Sequence, residues 1–319
     1  MQSPLTPRYS LVVPVYKNEA NIPDLLQAID GIREVLGEAF EAVLVVDGSP
    51  DSSHRLLADH LPKQRFVATL VDLSRNFGAF AAIRHGLGLA RGDQIAVMAA
   101  DLQEPPELVI DLLRQVEAGA DVAFGTRTTR NDPPVSQALS NMYWKLYRRW
   151  VVSDVPAGGV DIFALNSKIR DCLLSMPEAN SSLLAQLFWL GGRRAFVPYD
   201  RQERKIGKSA WTLRKKLAYL MDSVFSFTDL PVRLLLALGL GGTALSVILG
   251  AAVLVAKLSG TLAVPGYAAT LLVVLFFGAF NALGLGIIGS YVWRAYENTK
   301  HRPLTISHDV TTYPKKDPP

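Results

Sequence analysis

A single cysteine, Cys172, excludes an intrachain disulfide and fits a reducing compartment; it is most simply read as a buried apolar side chain. Charge is scarce as well. Charged residues make up 19% of the chain against 49% hydrophobic, a mix too greasy for an ordinary soluble enzyme. The formal charge of +4 is small, so the placement of charges matters more than their sum, and no nucleic-acid partner is expected. There is no internal repeat and no long low-complexity tract, so a repeat array is excluded. Residues Met1 to Pro7 are polar, and the first apolar run, Tyr9 to Val15, is too brief to span a membrane or to target the chain.

What is present over the first hundred residues is an alternation. Short β-branched runs at Ser10–Val15, Glu41–Val46, Phe66–Leu73 and Gln94–Ala100 read as strands. Between them, a stretch with Leu25, Leu26 and Ile29 at helical spacing, then His54–Leu61 and Ser74–Ala90, read as helices. Pro105-Pro106 suits a helix start for Glu107–Ala118, and Asp121–Gly125 is a further short strand. Strands and helices in this order predict an α/β fold with a mostly parallel sheet and right-handed crossovers.

In such a sheet, ligands gather beyond the C-terminal ends of the strands. Glu19 follows the first strand and Asp47 the second. The fourth run, VMAADLQEPP, stops at Asp101, with Gln103 and the double proline behind it. Each acid alone reads more readily as a helix cap or turn residue. Together they suit a nucleoside diphosphate and its divalent cation, one carboxylate meeting ribose or base and another the metal. Thr126–Asn141 reads as a polar loop with Arg127 and Arg130, followed by a basic aromatic helix over Met142–Val151. A glycine turn then enters an apolar strand that carries Asp161. A charge inside an apolar strand is costly unless used, which makes Asp161 the general-base candidate. Arg193–Trp211 holds Arg201, Arg204, Lys205 and Lys208 around Gly207, suited to phosphate or simply a solvated basic loop.

Leu213–Phe227 is predicted to be amphipathic, with Leu217, Leu220, Met221, Val224 and Phe225 on one side; it can lie in a membrane interface or pack on the core. Leu234–Ala256 and Tyr267–Trp293 carry no charge, and the first alone spans roughly 35 Å as a helix. Arg214, Lys215, Lys216 and Arg233 flank one end, Arg294, Lys300 and Arg302 the other. The positive-inside rule then puts the N-terminal domain and both termini in the cytoplasm, on a multi-pass inner-membrane protein. Gly278, Ala282 and Gly286 recur every four residues and allow close helix packing or a homo-oligomer, dimer or tetramer. Gly284–Gly289 matches a dinucleotide fingerprint by spacing but lies inside a spanning helix without a preceding strand, and is rejected.

PVYKNEANI, VDGSPDSS, LSRNFGAFAAIRHGL, ARGD and ADLQEPPE occur in that order, followed by GGVDIF, RKIGKSAW and the two spans. This series, over roughly residues 9 to 300, resembles the family 2 glycosyltransferases of GT-A (Rossmann-like, mostly parallel) fold, in the polyisoprenyl-phosphate glycosyltransferase branch. The resemblance implies a cytoplasmic catalytic domain over 1–210, a juxtamembrane helix region over 211–231, two transmembrane helices over 232–293 and a cytoplasmic tail over 294–319. It implies Pro14, Tyr16, Glu19, Asp47 and Ala100 around the nucleotide, Asp101 and Gln103 holding Mg²⁺ or Mn²⁺, Asp161 as catalytic carboxylate, and Arg127, Arg201, Arg204 and Lys208 on phosphates of donor or acceptor. The partners implied are a nucleotide sugar, a UDP-hexose by analogy with bacterial members, and undecaprenyl phosphate in the membrane. The chain departs from the family at Ala99, where an acid is usual, and at Val46, which precedes Asp47 where a second acid is common. Two alternatives stand beside inverting transfer to the lipid: a processive polysaccharide synthase, and a membrane-anchored nucleotide-sugar-binding protein without catalysis.

Overall fold

The computed structural model describes residues 7–128, 145, 147–149, 154–156, 159–202, 213–259 and 266–316. Eight strands form one sheet in the order β7-β5-β6-β4-β1-β2-β3-β8. The strands are β1 (Tyr9–Val15), β2 (Phe40–Val46), β3 (Val67–Leu73), β4 (Gln94–Val97), β5 (Val122–Arg127), β6 (Val160–Asn166), β7 (Arg194–Tyr199) and β8 (Ser307–Tyr313). The helices are α1 (Ile22–Leu36), α2 (Ser53–His60), α3 (Ala79–Leu89), α4 (Pro106–Glu117), α5 (Ser167–Leu174), α6 (Leu183–Leu190), α7 (Leu213–Phe227), α8 (Leu230–Leu258) and α9 (Tyr267–Thr299). The mostly parallel α/β sheet and the two long apolar helices expected from the sequence are both present.

The sheet separates two apolar layers. On one face Leu25, Leu26 and Ile29 of α1, Leu57 of α2 and Leu112 and Leu113 of α4 pack against alternate residues of β1 and β2. On the other, Ile83 and Leu87 of α3, Leu173 of α5 and Leu187 and Phe188 of α6 form a second layer with Val12, Val43 and Val45, with α3 over β1 and β2 and Phe188 stacked on Phe124 of β5. Each fully buried aliphatic side chain contributes about 1.5–3 kcal/mol, so the central strands are the most stable part of the molecule. Gly86 sets the seat of α3, since a Cβ there would stand 2.5 Å from Val12 Cγ1. Pro14 sits in a central strand at no cost to the ladder, because β4 stops at Val97, opposite Val12.

Two strands run against the rest: β6 is antiparallel to β4 and β5, and β8 is antiparallel to β3. The reversal of β6 brings its start, and with it the backbone of Asp161, to the edge where the parallel strands end.

Several predicted boundaries shift. The fourth strand ends at Val97 and not Ala100, because Leu102, at φ +52°, turns the chain and its N–H reaches back toward the Ala99 carbonyl. Arg127 is the last residue of β5 and not part of a loop, and Arg194–Tyr199 of the basic segment is the edge strand β7. Cys172 is exposed, since α5 turns Ile169 and Leu173 inward and leaves Cys172 on the outer side. The terminal tail is in part a strand: β8 pairs with β3 from Ala68↔Tyr313 to Leu73↔Ser307.

The amphipathic helix α7 packs one side on the domain: Val224 is buried, Leu220 lies against the second core layer and Tyr219 stacks on Phe80 of α3. Helix α8 is 29 residues long with a mean hydropathy of 2.1 and no buried residue, long and apolar enough to cross a membrane; α9 contains a second such stretch, Phe276–Thr299. Their outer ends meet the domain together, where Arg294 of α9 pairs with Asp222 of α7 at 2.7 Å. Gly284, carrier of the rejected fingerprint, lies mid-helix in α9.

Candidate functional site

The ends of β1, β2, β3, β4, β5 and β7 and the start of β6 share one edge of the sheet. After β1 and β2 the two connecting segments are laced together. Lys17 N donates to Ser49 Oγ at 2.8 Å, Glu19 N to Asp51 Oδ2 at 3.1 Å, and Ser52 N to Glu19 Oε2 at 2.9 Å. Ser49 Oγ also donates to Asp51 at 2.6 Å. Burial works against ionisation of Asp51, but the bonds from Ser49, Ser53 and the Glu19 N–H outweigh it and hold its carboxyl below the usual range. Pro14 and Tyr16 are partly exposed above this lacing, where a flat ligand would meet them.

Asp47 is only 2% exposed. Its carboxylate accepts from the backbone of Phe77 at 2.7 Å and of Gly78 at 2.8 Å, and its carbonyl accepts from Asn76 Nδ2. Gly48, at φ +54°, fits so closely under this segment that a Cβ would lie 2.2 Å from the Arg75 carbonyl carbon. The first residues of the predicted helix Ser74–Ala90 are therefore a loop clamped by Asp47, with regular helix beginning only at Ala79. Ala100 is buried in the core, so its backbone is what faces the edge.

After β4 the chain turns through Asp101, half-buried, with Gln103 N directed at Asp101 Oδ1. This turn is joined to the segment after β7. Gln202 N donates to the Gln103 carbonyl at 2.9 Å, and the Arg201 guanidinium donates to Gln103 Oε1. Glu104, 3% exposed, lies 3.8 Å from Arg201 Nε. Arg127 ends β5 opposite Tyr199, and Thr128 N bonds the Tyr199 carbonyl at 3.0 Å.

The structure thus brings Asp101, Gln103 and Arg201 into one cluster, and places Arg127 and the Asp161 backbone on the same edge. Arg204, Lys208 and the Asp161 side chain lie outside the described residues, as does Arg130. Two residues escaped the sequence reading of the site, Glu104 and Asp51. The signal for Glu104 was an acid directly before a double proline, whose fixed backbone leaves its side chain little choice of direction. Among the described residues no three His, Cys, Asp or Glu side chains converge as a metal cage. The Asp101 carboxylate still fits a hard cation, since Mg²⁺ is held by one or two carboxylates together with substrate phosphates; Gln103 would add its Oε1 only by giving up the Arg201 bond.

The opposite edge shows the same residue types in a purely structural use. Glu41, also buried, accepts from Ser10 Oγ, from Arg91 N and from the Arg91 guanidinium at 2.7–2.9 Å, while Gly92 N donates to Ser10 Oγ. The ARGD motif is this knot.

The model of glycosyl transferase family 2 matches residues 10–170. The putative glycosyltransferase CsbB of Bacillus subtilis is 32% identical over 310 residues, 97% of this chain and 94% of its own length. The bactoprenol glucosyl transferase of Shigella phage SfV is 29% identical over 300 residues, 94% of this chain and 97% of its own. The solved glucosyl-3-phosphoglycerate synthase of Mycobacterium tuberculosis, in complex with Mn²⁺, uridine diphosphate and glucosyl-3-phosphoglycerate, is 18% identical at a TM-score of 0.48, covering 68% of this chain and 77% of that one.

Proposed function

The chain belongs to glycosyl transferase family 2 and is a glycosyltransferase, and from that premise we propose that it moves one hexose from a UDP-sugar to undecaprenyl phosphate, with inversion, at the cytoplasmic membrane face. The observation that carries the lipid acceptor is extent. Likeness to the phage bactoprenol glucosyl transferase runs through both apolar helices as well as the sheet domain. The catalytic unit is then 1–210 together with the returning strand β8, joined through 211–231 to two spans within 232–293. Both span ends meet the domain on one side, and the basic flanks favour the cytoplasm for it.

In this reading an acceptor phosphate oxygen attacks the anomeric carbon as the bond to the nucleoside diphosphate breaks on the opposite face. A phosphate monoester is already ionised near neutral pH, so Asp161 orients the acceptor more than it removes a proton. Pro14, Tyr16 and the laced loops of Glu19 and Asp51 bound the nucleotide, with Asp47 shaping that pocket from beneath. Arg127, Arg201, Arg204 and Lys208 hold phosphates, and Arg201 is aimed by Gln103 and Glu104. Asp101 and Gln103 would hold Mg²⁺ or Mn²⁺, which when bound neutralises charge on the leaving diphosphate.

Incubating the detergent-purified protein with undecaprenyl phosphate, either metal and a panel of nucleotide sugars tests this. The expected product is a lipid carrying one sugar, with release of the nucleoside diphosphate. A growing polymer would favour a processive synthase. Ala99 favours a second reading, a binding protein; metal-dependent nucleotide binding with no glycosyl lipid from any donor would establish it in place of the first.

A further inference from the structure

Helix α6 is buried along its length, from Leu183 through Phe188, which stacks on Phe124 at 4.7 Å. Its next residue, Trp189, is 70% exposed. A lone bare indole at the end of a core helix needs a partner, and its surroundings indicate which. Trp189 lines a cavity of about 740 Å³ with Phe225 and Phe227 of α7, Thr228, Asp229 and Tyr291 of α9. Asp229 is the residue directly before α8, and Tyr291 bonds the Thr228 carbonyl, so this cavity lies level with the start of one apolar helix and the end of the other. Trp293 and Tyr296, both exposed, continue the aromatic residues along α9, and Arg233 and Arg294 stand among them. The nearby acids are compensated: Asp229 pairs with Arg233 at 2.7 Å, and Glu178 accepts from Ser181 and Gln186. Tryptophan and tyrosine with interspersed arginine are the composition of a membrane–water interface, where an indole has an apolar face in acyl chains and its N–H among headgroups.

We infer that Trp189 is a membrane anchor belonging to the catalytic domain itself, seating the end of α6 in the lipid headgroup layer. The domain then rests on the bilayer at a third point besides α8 and α9, with the sheet face covered by α3, α5 and α6 turned toward the lipid. A domain held only by its two spans could rock about them. One held also at Trp189 has its tilt fixed.

This rests on the bilayer reading of α8 and α9 given above, and the experiment separates the two. In a Cys172→Ser background, Trp189→Cys, Val35→Cys on α1 and Val247→Cys on α8 are spin-labelled in nanodiscs of phosphatidylethanolamine and phosphatidylglycerol. Collision with a water-soluble nickel chelate and with oxygen is then measured. The label at 189 is expected to be severalfold less accessible to nickel than that at 35, and less oxygen-exposed than that at 247. Equal nickel access at 189 and 35, with 247 in lipid, overturns the anchor alone. Water access at 247 overturns the span reading and the anchor with it. The unlabelled protein gives a second readout, since headgroup-proximal brominated lipid should quench more fluorescence in the wild type than in Trp189→Phe.

Discussion

At the end of β2, Asp47 is buried and its carboxylate accepts two backbone N–H groups, from Phe77 and Gly78. At the end of β4, Asp101 stands half-buried in a turn that reaches across to Arg201 through Gln103. Both acids close an apolar strand on the same edge, two strands apart in the sheet. The first fixes a loop, and the second is the one we propose meets the metal and its diphosphate. What separates them is depth: the loop ahead of α3 folds over Asp47 and buries it, while Asp101 keeps part of its surface open.

If this contrast holds, Asp101→Ala should remove activity by at least about 10²-fold while leaving the melting temperature nearly unchanged, because the residue serves chemistry and not packing. Glycosyl-lipid formation and thermal unfolding in detergent check both halves. Unaltered turnover would place Asp101 with Asp47. Asp47→Ala should show the reverse, a loss of about 2–4 kcal/mol in stability as two backbone donors lose their acceptor, with weaker donor binding following from the disordered loop. Denaturant unfolding measures it.

A smaller effect belongs to Glu104. Glu104→Gln keeps the shape but removes the charge facing Arg201, and should lower kcat about tenfold with little change in stability. Glu104→Asp should recover less than Arg201 contact demands, since the shorter acid falls away from the guanidinium. Equal kcat in both variants and the wild type would return Glu104 to the core. The smallest effect is on pH dependence. Asp51 has its carboxyl depressed in the folded state, so its stabilisation is present above the unfolded value of about 3.9 and is lost as pH falls through the lower folded value. Asp51→Asn should flatten this acid limb of the stability curve.

Much of this edge was legible in the chain. Short β-branched runs fixed β1 to β3, and the acids at their ends marked the edge because parallel strands put ligands there. The direction of β6 was not legible, since an apolar run reads the same in either direction, yet it is what delivers Asp161. Nor was the link of Glu104 to Arg201, which joins segments far apart in sequence through the β5–β7 pairing. The burial of Asp47 was not legible either, because an acid after a strand looks alike whether or not a later loop returns to it. Ser307–Tyr313 was read as tail because SHDVTTY has polar residues on both faces, as suits a strand on the rim of a sheet.

That last strand sets an order of assembly. β3 presents its bare edge from the moment it forms, and its partner is made only after both apolar helices have been synthesised. On the bilayer reading of α8 and α9 proposed above, the growing chain makes its whole membrane hairpin before the sheet can be finished. A ribosome stalled within α9 would leave a domain with an unpaired strand, open to another chain's edge, and the arrival of β8 is the event that closes it.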